Sequence, residues 1–154
     1  MQEFHNFLSE SELEFVTKTI TGDHWGFGYT STDPNKPIWN FDKALGKPVA
    51  ELLVSKLDNY ILKDWHINGQ TFQLSGSPHT DSYNGCNYAF IFFPQDWNYL
   101  WGGRLHILNN DKTTIITPKK NLGILFDASL MHYAEAPLVP VLRISVGLKL
   151  HREN

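Results

Sequence analysis

Residues 77–82 of the chain read SPHTDS, so His79 and Asp81 stand two apart between small residues, just after a strand-like run. Side chains two apart on an extended segment point to the same side, and an imidazole and a carboxylate there can converge on one ion. A His-x-Asp pair says little by itself. The chain offers a further ligand in His132, within ASLMHYAEAP, far enough downstream for several strands to intervene. Two neutral imidazoles and one carboxylate on one face of an octahedral ion leave its other positions open. That is the ligand set of non-haem Fe(II) centres that activate oxygen.

Arg143 adds a second requirement. In VLRISVGLKL a period of two puts Leu142, Ile144, Val146, Leu148 and Leu150 on one face, with Arg143, Ser145 and Gly147 on the other. An unpaired guanidinium is costly to bury, so an anion is expected beside it. A dicarboxylate with one end on the metal and the other on Arg143 meets that need: the planar fork matches a carboxylate bidentately, and Ser145 can add a hydrogen bond. His5, His24, His66, His106 and His151 have no partner in sequence and read as surface or core residues. His106 alternates with Leu105 and Ile107 and is a candidate for lining a cavity. Cys86 is the single cysteine, which excludes an internal disulfide framework and a thiolate zinc site and reads as a structural thiol. The chain has no Gly-x-Ser-x-Gly and no phosphate-cradling glycine loop.

The elements that must position these groups are set by a chain of 154 residues, long enough for one domain with its own core. At 42% hydrophobic and 14% aromatic it is far from disordered. No apolar run reaches membrane-spanning length and no signal peptide opens the sequence, so a soluble cytoplasmic protein is expected. The net charge of -3 is spread without blocks, and Lys119-Lys120 is too short to form a basic patch, so neither nucleic acid nor a membrane is an expected partner.

Residues 1–69 read as helical support. LSESELEFV carries a capping box, Ser9 with Glu12, and Leu8 and Leu13 form a staple around it. Leu13, Val16 and Ile20 follow at helical spacing until Gly22. A second helix is predicted to start at Pro48, with Val49, Leu52, Leu53, Leu57, Tyr60 and Ile61 on one face and Asn68-Gly69 as its end. Tyr29 to Phe41 reads as a long loop. From Gln70 to about residue 150 the period is two, with candidate strands QTFQLS, NYAFIFF, RLHIL, TTIIT, GILF and VLRISVGLKL. The expectation is a single α+β, mostly β, domain over 1–154: a jelly roll of cupin type, a double-stranded β-helix, with the N-terminal helices packed on one sheet.

Taken together, HTD, the MH of the later segment and RIS resemble the 2-oxoglutarate- and Fe(II)-dependent oxygenases, most of all their prolyl 4-hydroxylase-like branch. The likeness runs from about Gln70 to Leu150. FIFFPQDWNYLWGGRLHIL is similar to that branch's aromatic strand, Asp-Trp turn and Gly-Gly-x-Leu strand, and ITPKKNLGILF resembles its Pro-containing hairpin. The resemblance implies that His79, Asp81 and His132 hold Fe(II). Arg143, with Ser145 beside it, would bind the distal carboxylate of 2-oxoglutarate. The implied reaction couples oxidative decarboxylation of 2-oxoglutarate to hydroxylation of a C–H bond with O2, and ascorbate is a candidate reductant.

Peptidyl proline is the first expected substrate, with Trp39, Trp97 and Tyr99 as candidate contacts; Trp101, next to Gly102-Gly103, reads as a core cap. A free amino acid or other small molecule is the alternative. Two other classes are a cupin-like metal-binding protein without oxygenase activity, which has no use for an inward arginine, and a pure binding module. Two departures from the branch concern the substrate: Phe93 stands where a tyrosine hydroxyl is common, and Arg104 where an acid is common.

Overall fold

The computed structural model describes residues 1–153. The first helix begins where its cap predicts: α1 spans Glu10–Ile20, Ser9 Oγ accepts from the Glu12 amide, and the Glu12 carboxylate accepts from the Ser9 amide at 3.0 Å. Such a cap contributes about 1 kcal/mol. Val16 and Ile20 are buried, and Leu8 and Leu13 both pack into the same cluster.

The second helix starts earlier than Pro48. It runs Lys43–Ser55 (α2), because Asp42 supplies the cap by accepting from the Leu45 amide at 2.9 Å. Pro48 therefore lies inside the helix, where it leaves one carbonyl of the preceding turn without its amide partner. Gly46 lets α2 settle closely onto the strand beneath, since a Cβ there would come within 2.8 Å of Ile67 Cδ1.

The helical reading of 56–69 fails. Asn59 takes a left-handed turn at φ +67, and Ile61–Gln70 forms a ten-residue strand, β4. Leu57 and Tyr60 do pack on the core, but as turn residues, and Ile61 is exposed. The N-terminal region holds three further strands, β1 (Gln2–Phe4), β2 (Trp25–Tyr29) and β3 (Ile38–Phe41), so the expected loop is a hairpin joined by a shorter connection. QTFQLS is not a strand; Gln70 ends β4 and the chain then turns.

The remaining strands are β5 (Tyr88–Phe93), β6 (Leu105–Asn109), β7 (Lys112–Ile116), β8 (Leu122–Asp127), β9 (Met131–Ala134) and β10 (Arg143–His151). A seven-stranded sheet runs β1-β8-β5-β10-β4-β3-β2 and a three-stranded sheet runs β7-β6-β9, and every pairing is antiparallel. The described residues are mostly β, with two α-helices and one short 3-10 turn at Tyr99–Trp101.

Two cores follow from strand alternation. Phe90, Phe92, Val146, Leu148 and Leu150 face the helices, where Val49 and Leu53 of α2 cover them. Ala89, Phe93, Ile124 and Phe126 point the other way and meet Leu105, Ile107 and Ile116 of the smaller sheet. Gly123 belongs to the helix-facing side, where a Cβ would lie 2.3 Å from Phe90 Cζ. Among the described residues no helix is long and apolar enough to cross a membrane.

Candidate metal centre

The larger sheet's face toward the smaller one changes character across its width. Register pairs Arg143 with Gln70, Ser145 with Asn68 and Gly147 with both His66 and Ile91. The β4/β10 half is therefore polar and the β5/β8 half apolar, and a cavity opens at the polar half.

His79 and His132 enter from the opposite side as a directly paired couple. The His79 amide donates to the His132 carbonyl at 3.0 Å, and the return bond is 2.9 Å. Asp81 is pinned next to them by its amide, which donates to the Ala128 carbonyl at 2.8 Å. The three side chains bring one ligand atom each within 4.8 Å of one another.

Each imidazole is oriented from behind. His79 Nδ1 lies 2.8 Å from the Ser77 carbonyl and His132 Nδ1 lies 3.0 Å from the Leu130 carbonyl. A carbonyl only accepts, so both Nδ1 atoms carry the proton and both Nε2 lone pairs face inward, as metal-ligating histidines require. The Nε2 atoms lie 3.7 Å (His79) and 3.3 Å (His132) from the Asp81 carboxylate. Lys149 Nζ supplies one cation to this carboxylate at 2.9 Å, and a metal between the three ligand atoms would supply another. Burial, then the neighbouring His132, lowers the pKa of His79, which disfavours a second proton on its ring. Burial alone would raise Asp81, but contacts from His132 and Lys149 outweigh it and hold the carboxyl well below the usual range.

Arg143 is 1% exposed. Its Nε donates to the Gly103 carbonyl at 2.6 Å, and one terminal nitrogen donates to Gln70 Oε1 at 3.1 Å and to Ser145 Oγ at 3.4 Å. Gln70 is fixed for this task, since its amide nitrogen donates to the Leu74 and Ala134 carbonyls and leaves the oxygen for the arginine. The other terminal nitrogen of Arg143 has no partner and is buried. Burial brings the guanidinium down to about 10, so it stays charged at neutral pH. Its Cζ sits 5.3 Å from the Phe93 ring centre. Gly103, at φ +66, permits the approach: a Cβ there would stand 3.0 Å from Arg143 Cδ.

The structure thus brings His79, Asp81, His132, Arg143 and Ser145 to one cavity. It does not bring the three aromatic candidates there. Trp39 pairs with Gly69, whose neighbours Asn68 and Gln70 face the cavity, so Trp39 faces away and packs at 5.1 Å from Phe27. Trp97 and Tyr99 line a separate surface cleft with Trp101, Pro118 and Lys119, and Tyr99 is 74% exposed. Trp101, expected to cap the core, lies half-buried in that cleft, edge-on to Trp97 at 5.3 Å.

His106 also faces away. It pairs with Tyr133 while its neighbour Ile107 pairs with the inward His132, and its Nε2 lies 2.6 Å from Glu135 Oε1. Arg104 forks onto the same Glu135 through two bonds of 2.9 Å, which explains a cation at that position.

Among the cavity residues that sequence did not mark, Gln70 and Lys149 touch the charged groups. Gln70 looks like any strand-end amide. Lys149 continues the Arg143, Ser145, Gly147 alternation by one step, a signal that was there to be used.

No protein-family model and no curated protein sequence matches the chain. Solved structures do. A prolyl hydroxylase from Trichoplax adhaerens, in complex with a peptide of the hypoxia inducible factor oxygen degradation domain, superposes with a TM-score of 0.72 at 17% identity over 98% of this chain and 83% of that one. A Pseudomonas putida prolyl-4-hydroxylase gives 0.62 at 13% identity, over 99% and 92%. A non-haem α-ketoglutarate-dependent epimerase from nogalamycin biosynthesis gives 0.67 at 13% identity, over 97% and 76%. At these identities it is the fold that is shared, and the chain has the fold of the 2-oxoglutarate- and Fe(II)-dependent oxygenases.

Proposed function

We propose that the protein is a 2-oxoglutarate- and Fe(II)-dependent oxygenase that hydroxylates a C–H bond, its two facing sheets forming a double-stranded β-helix around the site. The observation that carries the reading is the unpartnered, buried terminal nitrogen of Arg143, in the same cavity as His79, Asp81 and His132. A cation without an anion is costly inside a protein, and a dicarboxylate spanning from metal to guanidinium removes that cost.

Both groups fit the residues present. His79 and His132 would ligate through Nε2 and Asp81 through its carboxylate. Arg143, with Ser145 beside it, would hold the distal carboxylate of 2-oxoglutarate. Bound Fe(II) and 2-oxoglutarate supply oxygen activation, coupling loss of CO2 and formation of succinate to hydroxylation of the substrate.

The chain's own residues supply geometry. The Ser77 and Leu130 carbonyls stop the two imidazoles from turning. Gly103 and Gln70 hold the guanidinium so that its free nitrogen, rather than its chain, defines the anion site. Phe93 closes the wall there with an apolar ring that cannot donate, so the distal carboxylate depends on Arg143 and Ser145. No general base is needed.

Peptidyl proline is the first substrate to test, because two of the similar structures are prolyl hydroxylases. The epimerase among them favours a small molecule as the second reading. The experiment is anaerobic addition of 2-oxoglutarate to the Fe(II) protein, followed by succinate release under air and a mass screen for a +16 Da product, with proline-rich peptides first and free amino acids next. A weak visible charge-transfer band is expected. Iron bound without that band, and no succinate, would leave a cupin-like metal protein as the better account.

A further inference from the structure

Lys149 is 8% exposed and shares the cavity-facing side of β10 with Arg143, Ser145 and Gly147. Its Nζ lies 2.9 Å from Asp81 Oδ1, while Asp81 Oδ2 lies 3.3 Å from His132 Nε2. The two oxygens therefore have different nearest neighbours: Oδ1 has the ammonium, with His79 Nε2 farther off at 3.7 Å, and Oδ2 has the His132 imidazole. Across the strands Lys149 pairs with the small Ala89 of β5 on one side and with Asp64 of β4 on the other, yet its Nζ is paired with Asp81. A buried lysine at this spot is not explained by packing, since an apolar chain of similar length would fill it without desolvating a charge.

We propose that Lys149 is the positioning residue of the metal centre: by engaging Oδ1 it makes Asp81 a one-oxygen ligand through Oδ2 and offsets the carboxylate's charge. This rests on the oxygenase reading for its purpose. Three protein donors on an octahedral ion leave three places, and a chelating keto acid uses two of them. A carboxylate that ligates through both oxygens takes one of those places, and the co-substrate then competes with the protein. The ammonium also repels a divalent ion, so the wild-type site holds its metal less tightly than the triad alone would.

The test uses the full chain and two variants, and it reads metal binding apart from turnover. Co(II) titration followed by absorbance gives the metal affinity, and titration of the Co(II)-loaded protein with 2-oxoglutarate gives the co-substrate affinity. Lys149→Met removes both donor and charge. Its Co(II) dissociation constant is expected to fall at least fivefold, the ligand-field spectrum to change, and 2-oxoglutarate binding to weaken at least tenfold. Lys149→Gln keeps an N–H for Oδ1 without the charge, so Co(II) should bind more tightly while 2-oxoglutarate binding stays near wild type. Should Lys149→Met not fold, Lys149→Leu, which also removes both donor and charge, takes its place with the same expected outcomes.

Weaker or unchanged Co(II) affinity in a folded variant would overturn the proposal. Failure of the wild-type protein to bind 2-oxoglutarate would instead remove the oxygenase reading, and the metal comparison between wild type and variants would still stand.

Discussion

Arg143→Met separates the arginine's cost to the fold from its value to the site. In the folded chain the guanidinium makes three hydrogen bonds and leaves one terminal nitrogen buried and unpartnered. Methionine fills similar volume. It leaves the Gly103 carbonyl and Gln70 Oε1 without a donor, at about 1–3 kcal/mol each. Against this, it relieves a buried cation with no counter-ion, whose desolvation costs several kcal/mol. The terms nearly cancel, so the expected change in Tm without co-substrate is within about 4 °C of wild type.

Binding of 2-oxoglutarate does not cancel. Truncating one partner of a buried, hydrogen-bonded charge pair costs about 2–5 kcal/mol, so the dissociation constant should rise by roughly 30-fold to several thousandfold. Metal affinity should hold or tighten, because Arg143 is not a ligand and its removal takes away a positive charge that opposes the ion. Thermal melts, Mn(II) titration and isothermal calorimetry of 2-oxoglutarate into the Mn(II) protein read the three quantities separately. Wild-type 2-oxoglutarate affinity in the variant, with the fold intact, would refute the assignment. So would loss of the metal alone.

Phe93→Tyr places a hydroxyl on the ring that lies against Arg143, and a single added hydrogen bond to the distal carboxylate should tighten 2-oxoglutarate binding by about two- to tenfold in the same calorimetric assay. Gly123→Ala drives a methyl to within 2.3 Å of Phe90 Cζ in a buried cluster, so denaturant unfolding should show about 1–3 kcal/mol of lost stability with activity per folded molecule unchanged. Glu12 is lowered from 4.5 to about 2, first by the hydrogen bond from Lys56, 2.6 Å away, and then by the Ser9 amide. Its folded value lies below its unfolded one, so its stabilisation is fully present above pH 4.5 and is lost as pH falls toward 2; the wild-type Tm advantage over Glu12→Gln should be constant at pH 6–8 and shrink through that acid window.

The parts of this molecule that could be read from the chain are those decided by neighbours in sequence. The Ser9 and Glu12 box closes within one helical turn, and it sets the start of α1. The alternation from Arg143 to Leu150 sorts β10 into a helix-facing row and a cavity-facing row before any partner strand is known. The parts that misled were decided by distant contacts. Leu57, Tyr60 and Ile61 extend a helical period past α2, yet β10 needs a partner along its whole length, and pairing with Ile61–Gln70 outweighs local propensity. Trp39 was a candidate substrate contact and His106, read as a surface or core residue, a candidate for lining a cavity, because sequence does not say which face of a strand is inside. Register with Gly69 and Tyr133 turns both of them outward.

The same logic explains why the metal ligands were legible and their supports were not. His79, Asp81 and His132 carry their chemistry in their type. Ser77, Leu130 and Ala128 support the ligands through backbone carbonyls, which residue type does not reveal, and Ser77 adds an Oγ that accepts from the Thr32 and Asp33 amides. A centre of this kind therefore advertises its ligands in sequence and hides its rigidity in the backbone. Substitutions at those supports that keep the carbonyl in place should leave metal affinity unchanged whatever they cost the fold, while a substitution that moves a carbonyl should turn an imidazole and weaken metal binding.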